Sequence, residues 1–145
     1  MHNHFYMYID FTEGAEKQDY TYWLELMAYY LKRADSIDIH IWHGEVDVIR
    51  ELEANTALPK RDLAPLMMKG FGGAITPELI HFILNESFNS SGAIKWFSIF
   101  LKRGGELLFE SGHNGAELIA QQPTAKEIEM MKSVLPSNAT YQHFI

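Results

Sequence analysis

Residues 93–121 read AIKWFSIFLKRGGELLFESGHNGAELIAQ. Three runs of strand character, 94–101, 106–111 and 116–121, are separated by Lys102-Arg103-Gly104-Gly105 and by Gly112-His113-Asn114-Gly115. Both connections are short and carry glycine, which favours hairpins over crossovers. The stretch therefore predicts a three-stranded antiparallel meander, and the helices of the chain are expected to pack on it.

The flanking sequence extends that platform. Residues 4–11 alternate and are rich in Phe, Tyr and Ile, as a half-buried strand requires. Asp19 is placed to cap a helix over 20–34. That helix is apolar on two sides: Tyr20, Trp23, Leu24, Met27 and Leu31 form one stripe, and Tyr22, Leu26 and Tyr29 a second. It is either sandwiched in the core or offers one stripe to a partner. Ile37, Ile39 and Ile41 alternate with Asp38, His40 and Trp42 in a second strand, and a short helix follows to Ala54. Residues 55–65, with Pro59 and Pro65, read as a loop, and 66–69 as a short strand. Thr76-Pro77 opens a helix to Asn85. Thr124 and Glu127 form a capping box for a last helix to about Leu135, and 140–144 returns as an edge strand. Strands interleaved with about four helices around a meander define an α+β domain spanning 1–145, its sheet antiparallel or mixed.

Composition narrows the function classes. The chain of 145 residues has no cysteine, which excludes disulfides and thiolate metal sites. Residues 1–11 lack a basic region before an apolar run, so a signal peptide is not expected, and no stretch approaches the ~20 apolar residues of a membrane span. A cytoplasmic protein is the expectation. The net charge of −7 is uneven: residues 1–54 hold eleven acids and four Lys or Arg, residues 55–145 eight of each. Such a field disfavours nucleic acid and favours a basic partner.

No residue set specifies a reaction or a cofactor. His40 and His43 can share a metal only if the strand ends at Trp42, and no metal site is expected. Lys69-Gly70-Phe71-Gly72-Gly73 ahead of a helix resembles an anion cradle, but lacks the Lys-Ser/Thr ending of a nucleotide loop; tight turning beside aromatic side chains explains the glycines better. Ser111, His113 and Asn114 sit in a hairpin turn, where neighbouring side chains diverge. Asp10, Glu13, Glu16 and Asp19 read as a solvated face.

A surface remains. Asp35, Asp38, Glu45, Asp47, Glu51 and Glu53 lie in the second strand and the helix after it, and Trp42, Tyr22 and Tyr29 are candidate aromatic anchors amid that charge. Carboxylates around an aromatic anchor suit steered association with a cationic protein. In this profile (compact, acidic, without cysteine or a catalytic set) the chain resembles the immunity proteins of bacterial toxin systems, including contact-dependent growth inhibition. The resemblance implies a non-enzymatic protein that neutralises a cognate toxin, such as a nuclease, and it transfers no site residue. Two other readings stand beside it: an enzyme or small-ligand binder with a pocket between the sheet and helix 20–34, and a structural protein that self-associates through an edge strand or the two-sided helix.

Overall fold

The computed structural model of the chain describes residues 3–11 and 19–145. In chain order the elements are β1 (His4–Ile9), α1 (Thr21–Leu31), β2 (Ser36–Trp42), α2 (Val46–Asn55), β3 (Lys60–Asp62) and β4 (Met68–Ala74). They continue with α3 (Pro77–Asn85), β5 (Ser98–Arg103), β6 (Glu106–Gly112), β7 (Glu117–Gln121), α4 (Ala125–Val134) and β8 (Ala139–Phe144). All eight strands join one sheet in the order β3-β4-β2-β5-β6-β7-β1-β8, and every pairing is antiparallel. The fold is α+β, with the predicted meander β5-β6-β7 at the middle of the sheet.

Local chemistry accounts for the joints. Gly104 and Gly105 turn β5 into β6 with φ of 59° and 82°, values that cost glycine nothing. His113 and Asn114 take φ of 49° and 54° between β6 and β7, and Gly115 N donates to Gly112 O at 3.1 Å. Thr76 accepts from the Leu79 amide and caps α3, whose first residue is Pro77. The capping box of Thr124 and Glu127 is formed at the start of α4. Asp19 does not cap α1 in the ordinary way: its Oδ1 accepts from both the amide and the hydroxyl of Thr21, and Tyr20 holds the cap position.

The core lies on one face of the sheet. Alternation sends Phe5, Met7 and Ile9 of β1, Ile37, Ile39 and Ile41 of β2, Ile99 and Leu101 of β5, and Phe109 of β6 to the same side. There they meet all four helices in a single cluster. Helix α1 lies centrally: Tyr22, Trp23, Leu26, Met27, Tyr30 and Leu31 are all buried, and it contacts both α3 and α4. The stack of Tyr30 on Phe109, with centroids 4.3 Å apart, presses the helix onto the meander. Burying one such aromatic side chain removes about 150–250 Å² from water, worth roughly 4–6 kcal/mol before chain entropy is counted. Both apolar stripes are thus used inside the fold.

Three expectations change. Ile94 precedes β5 in an isolated bridge to Phe88, so the strand starts at Ser98. The segment read as a loop contains the short edge strand β3. Gly70, Gly72 and Gly73, expected to let a loop turn tightly, lie instead in β4, where all three pair with β2 and Gly70 also pairs with β3. Glu13 and Glu16 lie outside the described residues. Among the described residues no helix is long and apolar enough to cross a membrane.

Candidate functional site

Among the described residues, the second face of the sheet lies opposite the core cluster, and the buried sides of all four helices belong to that cluster. Antiparallel pairing aligns Gly72, Asp38, Phe100, Glu110, Ile119 and Tyr6 in one row across seven strands, ending at Gln142. In the next row His40 lies between Gly70 and Ser98, and Glu117 between Gly112 and Tyr8. Ser98 and Gly112 leave a low floor between taller aromatic and charged groups, while Gly70 and Gly72 lie beneath the Arg61 guanidinium. Trp42, 42% exposed, packs on Phe97 at 4.8 Å, and Phe97 meets the edge of His113 at 5.4 Å. This row of rings borders the floor on one side.

Two polar clusters stand on this face. In the first, Arg61 of β3 donates to both carboxylate oxygens of Asp38 on β2, at 2.5 and 3.1 Å, although β4 lies between the two strands. Gly70 and Gly72 permit the span: a Cβ at either would stand about 3.1 Å from the guanidinium. His40 Nε2 joins the same carboxylate at 3.1 Å, while its ring packs on Phe100. Burial alone would raise the Asp38 pKa, but the hydrogen bonds and charges of His40 and Arg61 outweigh it and hold it at about 2.

The second cluster centres on Glu117. Its Oε1 accepts from the Tyr6 hydroxyl at 2.5 Å, and its Oε2 meets His113 Nδ1. That hydrogen bond, with burial and the Glu117 charge, pushes the Tyr6 phenol up to about 12, so it remains a donor at neutral pH. Neighbouring Glu110 has its pKa raised by burial and by the Glu117 charge. Among the described residues no Lys or Arg lies within ion-pair distance of Glu110 or Glu117.

The carboxylates singled out in the sequence do not form one face. Asp38 lies on the uncovered sheet face and Asp35 at the β5–β6 turn, where its Oδ2 accepts from Gly104 N. Glu51 accepts from Lys95 at 2.8 and 2.9 Å, and Glu53 pairs with Lys60. Asp47 sits in the first turn of α2, where the helix dipole favours a carboxylate. Glu45 precedes that helix with a buried Oε2 that has no hydrogen-bond partner, and burial raises its pKa. Three of the six are thus matched by lysine or arginine.

The aromatic anchors also separate. Tyr22 is 1% exposed and its hydroxyl donates to Gly115 O at 2.7 Å, so it binds the meander and cannot reach a partner. Tyr29 is half-buried, donates to Glu127 at 2.8 Å and lies beneath the Arg33 guanidinium. Trp42 alone of the three stands on an open surface, near exposed Val46, Leu66 and Met67; His43 N donates to Met67 O.

The serine and histidine side chains weighed in the sequence are held by separate partners. Ser111 and Ser87 are buried acceptors for the indoles of Trp23 and Trp96. His40 and His43 are held by different carboxylates, Asp38 and Asp62, and among the described residues no three His, Asp or Glu are grouped to hold a metal. The space between sheet and α1 is filled by the buried side chains of that helix. A cavity of about 430 Å³ lies elsewhere, between residues 55–59, the end of β4 and the start of α3.

No protein-family model, curated protein or solved structure matches the chain. Residues such as Glu110, Glu117, Tyr6 and Phe100 were missed in the sequence because they are scattered along it. Period-two alternation opposite the core positions was the signal that could have found them.

Proposed function

We propose that this chain is a non-enzymatic binding protein that docks a basic protein partner on the uncovered face of its sheet. The partner is a toxin domain, with a nuclease the best fit, so the chain acts as an immunity protein in the cytoplasm. One observation carries the reading: a broad sheet face, free of helices among the described residues, on which Trp42, Phe97, Phe100, Tyr6 and Tyr8 accompany two carboxylates, Glu110 and Glu117, that pair with no described lysine or arginine. Aromatic side chains supply contact area at low entropic cost, and carboxylates without a lysine or arginine beside them select cationic groups. The net charge of −7 adds long-range attraction for a protein that must itself hold phosphate. The absence of cysteine fits a reducing compartment. Since Glu51 and Glu53 of α2 are already paired with Lys95 and Lys60, the docking surface is assigned to the sheet and not to α2.

The test is capture from a lysate of the organism that encodes the chain, with wild-type and Trp42→Ala/Glu110→Arg baits compared. A basic protein with nuclease activity, held by the first bait and lost from the second, supports the reading. A retained protein indifferent to the substitutions contradicts it.

A further inference from the structure

The two edges of the sheet are protected differently. Edge β3 is three residues long, Lys60-Arg61-Asp62, and each side chain is engaged: Lys60 with Glu53, Arg61 with Asp38, Asp62 with Lys69. Short, charged edges of this kind resist pairing with another chain. Edge β8 has none of these devices. It runs six residues, Ala-Thr-Tyr-Gln-His-Phe, with no Lys, Arg, Asp, Glu, Pro or Gly, and its six pairs to β1 are without a register shift. Its outer side pairs with no strand among the described residues. Tyr141 is 51% exposed, Phe144 39%, and the following Ile145 83%.

We propose that β8 is a pairing edge and that its occupant is β8 of a second copy of this chain, joined antiparallel about a two-fold axis. Charge argues for self-pairing. A chain of net charge −7 repels its own copies over most of its surface, but this strand carries no charged side chain of its own, and the cation beside it, Lys132 over Tyr141, is paired with Glu129. The geometry is also self-consistent. With the two-fold perpendicular to the sheet, both helical layers stay on one side and residues meet partners of the same parity. Either Tyr141 or Gln142 then sits on the axis. Tyr141 and His143 face the helix side with Phe5, and Thr140 and Gln142 the open side with Tyr8 and Tyr6. Every apposed pair is neutral or aromatic, and the two open faces join into one surface of sixteen strands.

Sedimentation equilibrium of the full chain from micromolar to millimolar concentration tests this. The wild type is expected to reach twice the monomer mass. Thr140→Lys/Gln142→Lys, on exposed positions, should weaken dimerisation by about tenfold or more, because it sets like charges opposite each other. Glu25→Gln/Glu86→Gln makes the same change in net charge away from the edge and should leave the dimer intact. Circular dichroism and thermal melting confirm that each variant is folded. A wild type that stays monomeric throughout overturns the proposal, as does a dimer that the lysine pair does not weaken. Capture of a partner by a monomer would leave the docking face standing while this edge assignment fails.

Discussion

Arg61 and Asp38 are bonded across an intervening strand, the guanidinium lying over Gly70 and Gly72 of β4 to reach the carboxylate on β2. His40 and Arg61 together hold Asp38 at about 2, below its ordinary 3.8. A carboxyl with a depressed folded pKa stabilises the protein above its unfolded pKa and loses that contribution as pH falls towards the folded value. Stability should therefore drop between about pH 4 and pH 2 in the wild type. Asp38→Asn should be less stable at neutral pH by about 1–2 kcal/mol, allowing for screening at the exposed guanidinium, and should show a shallower acid limb. Urea denaturation across that range measures both.

The same bridge makes a steric prediction. A Cβ at Gly72 would meet both Arg61 Nη1 and Asp38 Oδ1 at 3.1 Å. Gly72→Ala should displace the guanidinium, despite alanine's lower backbone entropy cost in a strand. The Asp38 carboxyl, followed by NMR titration, should then titrate at higher pH than in the wild type.

The division between what could and could not be read from the sequence follows range. Strand alternation, the Gly104-Gly105 turn, Thr76-Pro77 and the Thr124–Glu127 box are local, and the α+β class, the meander and α3 followed from them. Pairing across the sheet is not local. The glycines of 70–73 looked like a loop because their partners, Arg61 and Asp38 on one face and Leu58 on the other, come from distant segments. The acidic run from Asp35 to Glu53 looked like one face because Arg61, Lys95 and Lys60 are remote or hidden in sequence. Tyr22 read as a possible anchor because a two-sided helix has two explanations, and its hydrogen bond to Gly115 settles the choice.

Trp23 ties α1 to the meander. Its indole N–H donates to Ser111 Oγ at 2.9 Å, both side chains being buried. Trp23→Phe removes the donor and leaves a void, and should cost about 2–4 kcal/mol. Ser111→Ala should cost about 1–3 kcal/mol by leaving the indole unsatisfied. In the double variant the losses should sum to more than the measured total, because one bond is counted twice; a thermodynamic cycle from urea melts gives the coupling.

Glu110 carries a raised pKa from burial and from Glu117. Its charged form is therefore disfavoured by folding, and the penalty is present above the folded pKa and relieved as pH falls through it. Glu110→Gln should raise the melting temperature at pH 7.5, with the gain shrinking toward acid pH. The same variant should bind the partner less well, since the desolvated carboxylate belongs to the proposed docking face.

The assignment of that face is tested most directly by the association rate of the captured partner with three proteins: wild type, Glu110→Arg on the sheet and Asp47→Lys on α2. The account predicts a salt-sensitive rate for the wild type, a loss of about tenfold or more in affinity for Glu110→Arg, and near-normal binding for Asp47→Lys. Full binding by Glu110→Arg together with loss in Asp47→Lys would contradict it.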